Sequence, residues 1–131
     1  MPDSLLIIDD EKDILLATRW ALESSGYTIY TAANAEEAFR YFEAFRPQVI
    51  LIDFKLPGAS GEEFLKWVRD VDPNVPAIVI TGLIPQIESI EALCRDMGVF
   101  ACLRKPVSTE DLVETVRKAI ENSPRRPAAA A

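Results

Sequence analysis

The sequence predicts an α/β domain, a doubly wound five-stranded parallel sheet with helices on both faces. Three observations carry that expectation. Short unbroken apolar runs recur at Leu5-Leu6-Ile7-Ile8, Val49-Ile50-Leu51-Ile52 and Ala77-Ile78-Val79-Ile80, as strands covered on both faces require. Segments of helical period separate them, so that strand and helix alternate five times. The 131 residues, 49% of them hydrophobic, suit one domain whose core needs neither disulfides nor a structural metal.

The first strand, Leu5 to Ile8, leads into a helical period over residues 12 to 25 that stops at Gly26. Thr28-Ile29-Tyr30-Thr31-Ala32 alternates instead of running unbroken, which suits an edge strand. Asn34 then offers an N-cap with Glu37 three residues on, and Ala35, Ala38, Phe39, Phe42 and Phe45 fall on one helical face. After the strand at 49 to 52, a helix fits Gly61 to about Val71, with Phe64, Leu65 and Val68 inward and Asp72-Pro73-Asn74 closing it. The strand at 77 to 80 precedes a helix over Gln86 to Met97, striped by Ile87, Ile90, Leu93 and Met97 and stopped at Gly98. A weaker run, Phe100-Ala101-Cys102-Leu103, makes the fifth strand. Ser108-Thr109-Glu110-Asp111 is a capping-box variant that opens the last helix, with Leu112, Val113, Val116, Ala119 and Ile120 inward. The domain is thus expected over residues 1–122, with 123–131 a linker or disordered tail; no internal repeat of about 20 to 50 residues is visible.

Charge narrows the function classes. With 14 basic and 21 acidic residues the net charge is −7, which repels nucleic-acid phosphates in the absence of a concentrated basic stripe. Cys94 and Cys102 lack metal-ligand spacing and the chain has no histidine, so the cysteines read as core packing in a reducing compartment. No apolar run approaches the ~20 residues of a membrane helix. The opening Met-Pro-Asp-Ser has no export pattern, and the expected location is the cytoplasm.

The chemistry lies where the apolar runs end. Four strands finish in polar residues: Asp9-Asp10-Glu11, Asp53, Thr81 and Lys105-Pro106. In open α/β sheets ligands bind outside the carboxyl ends of the strands, where strand order reverses. If the order is 2-1-3-4-5, that point lies between Asp9/Asp10 and Asp53, and three carboxylates meet. Two unit charges about 4 Å apart repel by ~4 kcal/mol at an effective dielectric of 20, so the cluster calls for a cation or a raised pKa. Oxygen donors without nitrogen or sulfur select a hard divalent ion, Mg2+ first and Mn2+ second.

Taken singly, Asp10 reads equally as the N-cap of the next helix, Thr81 as a strand-end hydroxyl and Lys105 as a solvated lysine. Together they suit phosphoryl transfer to a carboxylate. Asp53 is the nucleophile, Asp9 and Asp10 supply the metal site, and Lys105 and Thr81 complete the cradle for the phosphoryl oxygens.

At these residues the chain resembles the receiver domain of two-component response regulators. The likeness covers about residues 4 to 122 and rests on Ile8-Asp9-Asp10-Glu11, Leu51-Ile52-Asp53-Phe54-Lys55-Leu56-Pro57-Gly58 with Gly61 after it, Ile80-Thr81-Gly82 and Arg104-Lys105-Pro106. The resemblance implies the flavodoxin-like strand order 2-1-3-4-5. It implies that Asp53 accepts a phosphoryl group from a phosphohistidine on a sensor histidine kinase or phosphotransfer protein. It further implies Mg2+ held directly by Asp10, largely through water by Asp9, and by Asp53 and the Lys55 carbonyl. Such a domain is a phosphoacceptor and not an enzyme beyond its own phosphorylation and dephosphorylation. Its output surface would be the fourth helix, fifth strand and last helix, acting on an output domain after residue 131 or on a partner, with a phosphorylation-linked homodimer as a further state. Direct contact with nucleic acid or membrane is not expected of this segment. One departure stands out: the family usually carries an aromatic residue three positions before the lysine, and here that position is Cys102. Phe100 shares its strand parity and is the alternative switch side chain.

Three rival readings share parts of the pattern. A P-loop or dinucleotide enzyme needs a glycine-rich loop after the first strand, where this chain has Asp9-Asp10-Glu11. A haloacid-dehalogenase-like phosphatase carries its nucleophile at the end of the first strand in an Asp-x-Asp pattern, whereas the acids here are adjacent and the lone Asp lies on the third. A pseudo-receiver, acting as a phosphorylation-independent interaction module, would have the same fold; the intact acid, Thr and Lys set opposes it and Cys102 keeps it open.

Overall fold

The computed structural model describes residues 3–9, 11–54, 61–82 and 87–123, and within them leaves the side chains of 12–15 and 87–90 undescribed. Five strands, β1 (Ser4–Ile8), β2 (Thr28–Ala32), β3 (Val49–Asp53), β4 (Ala77–Thr81) and β5 (Ala101–Arg104), alternate with α1 (Lys12–Glu23), α2 (Ala35–Phe45), α3 (Gly61–Val71), α4 (Ile87–Asp96) and α5 (Thr109–Glu121). All pairings are parallel and the order is β2-β1-β3-β4-β5, as anticipated. The alternating sequence of β2 belongs to an edge strand.

The period of two divides the core. Leu6, Ile8, Ile50, Ile52, Ala77 and Val79 pack with Ala38 and Phe42 of α2, Phe64, Leu65 and Val68 of α3, and Cys94 of α4. Leu5, Ile7, Val49, Leu51 and Ile78 pack on the other face with Leu22 of α1 and Leu112, Val116, Ala119 and Ile120 of α5. Each strand residue thus removes its side chain from water on one face or the other, about 1.5–3 kcal/mol for a large aliphatic.

The helix signals act where the sequence puts them. Asn34 caps α2 by accepting from the Glu37 N–H at 2.8 Å, and Glu37 reaches back to the Ala33 N–H at 2.9 Å. Ser108 caps α5, accepting from the Asp111 N–H at 3.0 Å. Gly26 and Gly98 take φ of 95° and 64° beyond α1 and α4, conformations open to glycine.

Some boundaries differ. Helix α1 ends at Glu23, with Ser24 as C-cap, so 24 and 25 lie in the turn. The fifth strand is displaced by one residue: Arg104 joins it and Phe100 stays outside at a bend, 38% exposed. Phe45, on the expected inward face of α2, is 49% exposed and stacks on Tyr30 of β2 at 4.3 Å between centroids. Its position beside the edge strand β2 explains this, since no further strand among the described residues covers it. Gln86 and the side chains of Ile87 and Ile90 lie outside the described portion, as do residues 124–131 of the expected tail.

Arg69 on α3 ties two layers together. Its guanidinium donates to the carbonyls of Met97 (2.7 Å), Gly98 (3.2 Å) and Val75 (2.8 Å), fixing the turn after α4 against the approach to β4. Burial lowers its pKa, partly offset by Asp72.

Candidate functional site

Asp53 ends β3, the strand whose five residues are all buried. Register places Ile8 beside Ile52, so that Asp9 and Asp53 follow one step on, at the same level and on the same parity. The Asp53 carboxylate is 3% exposed and Asp9 7%. Isolated, two such charges would be costly to bury. They are not isolated: Lys105 Nζ lies 2.8 Å from Asp53 Oδ2 and 4.0 Å from Glu11 Oε1.

Glu11 joins the cluster as well. One carboxylate oxygen from each of Asp9, Glu11 and Asp53 lies within 4.8 Å of the others. Glu11 is also the N-cap position of α1, but its side chain makes no cap bond; Asp9 Oδ1 instead accepts from the Glu11 N–H at 3.0 Å. In the sequence Glu11 is marked only by its place third in the acidic run Asp9-Asp10-Glu11. Asp10, expected to ligate metal directly, and Lys55, expected to lend its carbonyl, lie outside the described residues.

Lys105 follows β5, with its N–H bonded to the Thr81 carbonyl at 2.8 Å and a cis peptide to Pro106. Burial disfavours its ammonium, but the hydrogen bond and charge of Asp53, with Asp9 and Glu11 beyond, outweigh that and hold its pKa above the ordinary lysine value. Thr81 is fully buried at the end of β4 and its hydroxyl donates to the Gly82 carbonyl at 3.4 Å. By strand parity it continues the face of Ala77 and Val79, whereas Asp53 continues that of Val49 and Leu51. The structure therefore unites Asp9, Glu11, Asp53 and Lys105, with Thr81 one strand away on the opposite parity.

Gly61, first residue of α3, lies against the same strand end. A Cβ there would stand 3.1 Å from the Asp53 carbonyl oxygen and 3.0 Å from Phe54 Cδ1, so any larger residue would have to push these neighbours back by a few tenths of an ångström. On the other side lies a cavity of about 580 Å³, lined among others by Ile7, Leu51, Asp53, Ile80, Lys105 and Leu112.

A carboxylate at the open end of the central strand, with two further carboxylates and one lysine around it, sits where doubly wound sheets bind ligands. Over residues 5–117 the sequence also matches the family described as Response regulator receiver domain. The chain belongs to this family. Receiver domains are signalling modules of two-component systems and work with histidine kinases or phosphotransfer proteins. Among its relatives, the polar-differentiation response regulator DivK of Brucella anthropi is 33% identical, across 89% of this chain and 95% of its own. The C4-dicarboxylate transport transcriptional regulatory protein DctD of Rhizobium meliloti is 29% identical, across 90% of this chain but 25% of its own, so this receiver matches one quarter of that longer protein. The solved CheY-like receiver from Methanospirillum hungatei superposes with a TM-score of 0.85 at 30% identity, covering 92% of this chain and 95% of that one. No helix among the described residues is long and apolar enough to cross a membrane.

Proposed function

We propose that Asp53 is the phosphoacceptor of this receiver and takes its phosphoryl group from a phosphohistidine on a sensor histidine kinase or phosphotransfer protein. The observation that carries this reading is a carboxylate 3% exposed, bonded to Lys105 and facing Asp9 and Glu11 at the open end of the central strand. The Asp53 oxygen attacks phosphorus, the phosphorus–nitrogen bond breaks, and its electron pair returns to the donor imidazole. Lys105 leaves Asp53 Oδ2 to neutralise a phosphoryl oxygen. Thr81, whose present acceptor is the adjacent carbonyl at 3.4 Å, turns to donate to another.

The oxygen-only donor set of Asp9, Glu11 and Asp53 fits a hard divalent cation, and Asp10 and the Lys55 carbonyl belong to the same proposed set. Bound Mg2+ supplies positive charge against the carboxylates and the transferring phosphoryl oxygens. Transfer adds roughly −1.5 to −2 charge beside Thr81, and the surface of α4, β5 and α5 carries that change to an output domain, a partner or a second copy. The receiver spans residues 1–122, followed by a linker or disordered tail, and acts in the cytoplasm without contacting nucleic acid itself. The greater length of DctD supports an output module as one architecture for such a chain.

Acetyl phosphate with Mg2+ tests this on the full chain by intact mass. One phosphoryl group should appear, vanish with a chelator, and be absent from Asp53→Asn. A gain surviving that substitution moves the acceptor elsewhere. No gain from the parent chain, together with no Mg2+ binding, supports the phosphorylation-independent interaction module.

A further inference from the structure

Cys94 and Cys102 meet across the junction of α4 and β5. Cys94 is 4% exposed on the inner face of α4, and Cys102, half-buried on β5, packs against the same apolar cluster. The two thiols are free, share one apolar cluster, and Cys102 is near enough to help push the Cys94 thiol up. Three contacts fix the backbone around them. The Val99 N–H bonds to the Cys94 carbonyl at 2.9 Å, which closes the turn after α4; Val79 pairs with Cys102 in register; and Arg69 pins the carbonyls of Met97 and Gly98 between them. Cys102 also shares the sheet face of Val79 and Thr81, and stands level with the residue two before Thr81.

We propose that Cys94 and Cys102 form a reversible disulfide, a modification site closed by hydroperoxide-class oxidants, that clasps α4 to β5 behind Thr81. Half-buried Cys102 is the sulfur the oxidant reaches. Its thiolate attacks the peroxide, the O–O bond breaks, and Cys102 becomes a sulfenic acid while hydroxide takes up a proton to leave as water. The Cys94 sulfur then attacks the Cys102 sulfur, the S–S bond forms, the S–O bond breaks, and the departing hydroxide takes the Cys94 proton as a second water. Two thiols and one hydrogen peroxide thus give one disulfide and two waters, the sulfur pair losing two electrons and the peroxide gaining them. Burial first, then Cys102 and Glu91, push the Cys94 thiol up to about 12, which keeps it protonated and leaves the first oxidation to Cys102.

The crosslink limits movement of α4 relative to β5. That bond stands independently of the phosphoacceptor reading, whereas its effect on signalling rests on it. Reduced full-length protein is treated with hydrogen peroxide, then unfolded. Titratable thiols should fall from two to none, the intact mass should drop by two hydrogens, a crosslinked Cys94–Cys102 peptide should appear, and dithiothreitol should restore both thiols. Cys94→Ser and Cys102→Ser should each abolish the crosslinked peptide. Oxygen adducts on either cysteine in place of the crosslink, or two thiols persisting in the folded parent protein under peroxide, overturn the proposal without needing either variant to fold. Asp53→Asn should form the disulfide as the parent does, so failure of the phosphoacceptor reading and failure of the clasp appear separately.

Discussion

Strands β3 and β5 end at the two halves of one ion pair, yet they are built differently. In β3 every residue is buried, between β1 and β4 and under helices on both faces. In β5, at the far edge, three residues are partly covered and Arg104 is exposed. Asp53 thus ends the most buried of the five strands, while Lys105 follows the most open one. The lesson is positional. On the proposed chemistry the attacking oxygen needs a fixed location, and the cation that would exchange one oxygen for another sits on an element with fewer neighbours to disturb.

The largest expected effect sharpens this contrast directly. Ile50→Ala removes a fully buried side chain between two paired strands and should cost about 2–5 kcal/mol in urea unfolding, whereas Leu103→Ala in β5 should cost clearly less. Equal losses would mean that β5 is as tightly packed as β3. A smaller effect follows from Gly61→Ala, whose methyl group must shift Phe54, Ile52 or the Asp53 carbonyl; a loss of about 1–3 kcal/mol is expected, together with slower phosphoryl uptake, because the strain falls on the backbone of the proposed acceptor. Unchanged uptake kinetics would separate the close approach of α3 from the chemistry.

The smallest effect concerns pH and the β5 side. The Cys94 thiol is raised from 9.0 to about 12 by burial first, then by Cys102 and Glu91. Above pH 9 the unfolded thiol loses its proton while the folded one keeps it, so the folded state binds more protons and stability falls as pH rises towards 12. Below pH 9 the contribution is fully present. Cys94→Ala should show a shallower decline over that window in parallel denaturation curves; identical slopes would assign the alkaline loss to other groups.

Much of this was legible because the relevant forces are local or periodic. Unbroken apolar runs identified β1, β3 and β4, and Asn34 and Ser108 announced the starts of α2 and α5. Strand-end polarity pointed to Asp9, Asp53 and Lys105, which the fold brings together. Glu11 escaped because a helix-start acid has an ordinary explanation; its convergence with Asp9 and Asp53 depends on how the chain leaves β1. Phe45 was misjudged because helical parity alone does not say where the sheet ends. Arg69 gave no signal, since its carbonyl acceptors lie 3, 6, 28 and 29 residues away and are defined only after α3, α4 and β4 have packed.

By itself the sequence determined the strand–helix alternation, the two-sided burial of the central strands and the set of charged residues at their carboxyl ends, because period and composition encode which surfaces must leave water. Tertiary structure decided the placements: Lys105 on Asp53 across 52 residues, Glu11 as the third carboxylate, and Cys94 and Cys102 in one apolar cluster. Such pairings depend on strand register and on the layer each helix covers, and these are properties of the assembled sheet that no segment carries alone.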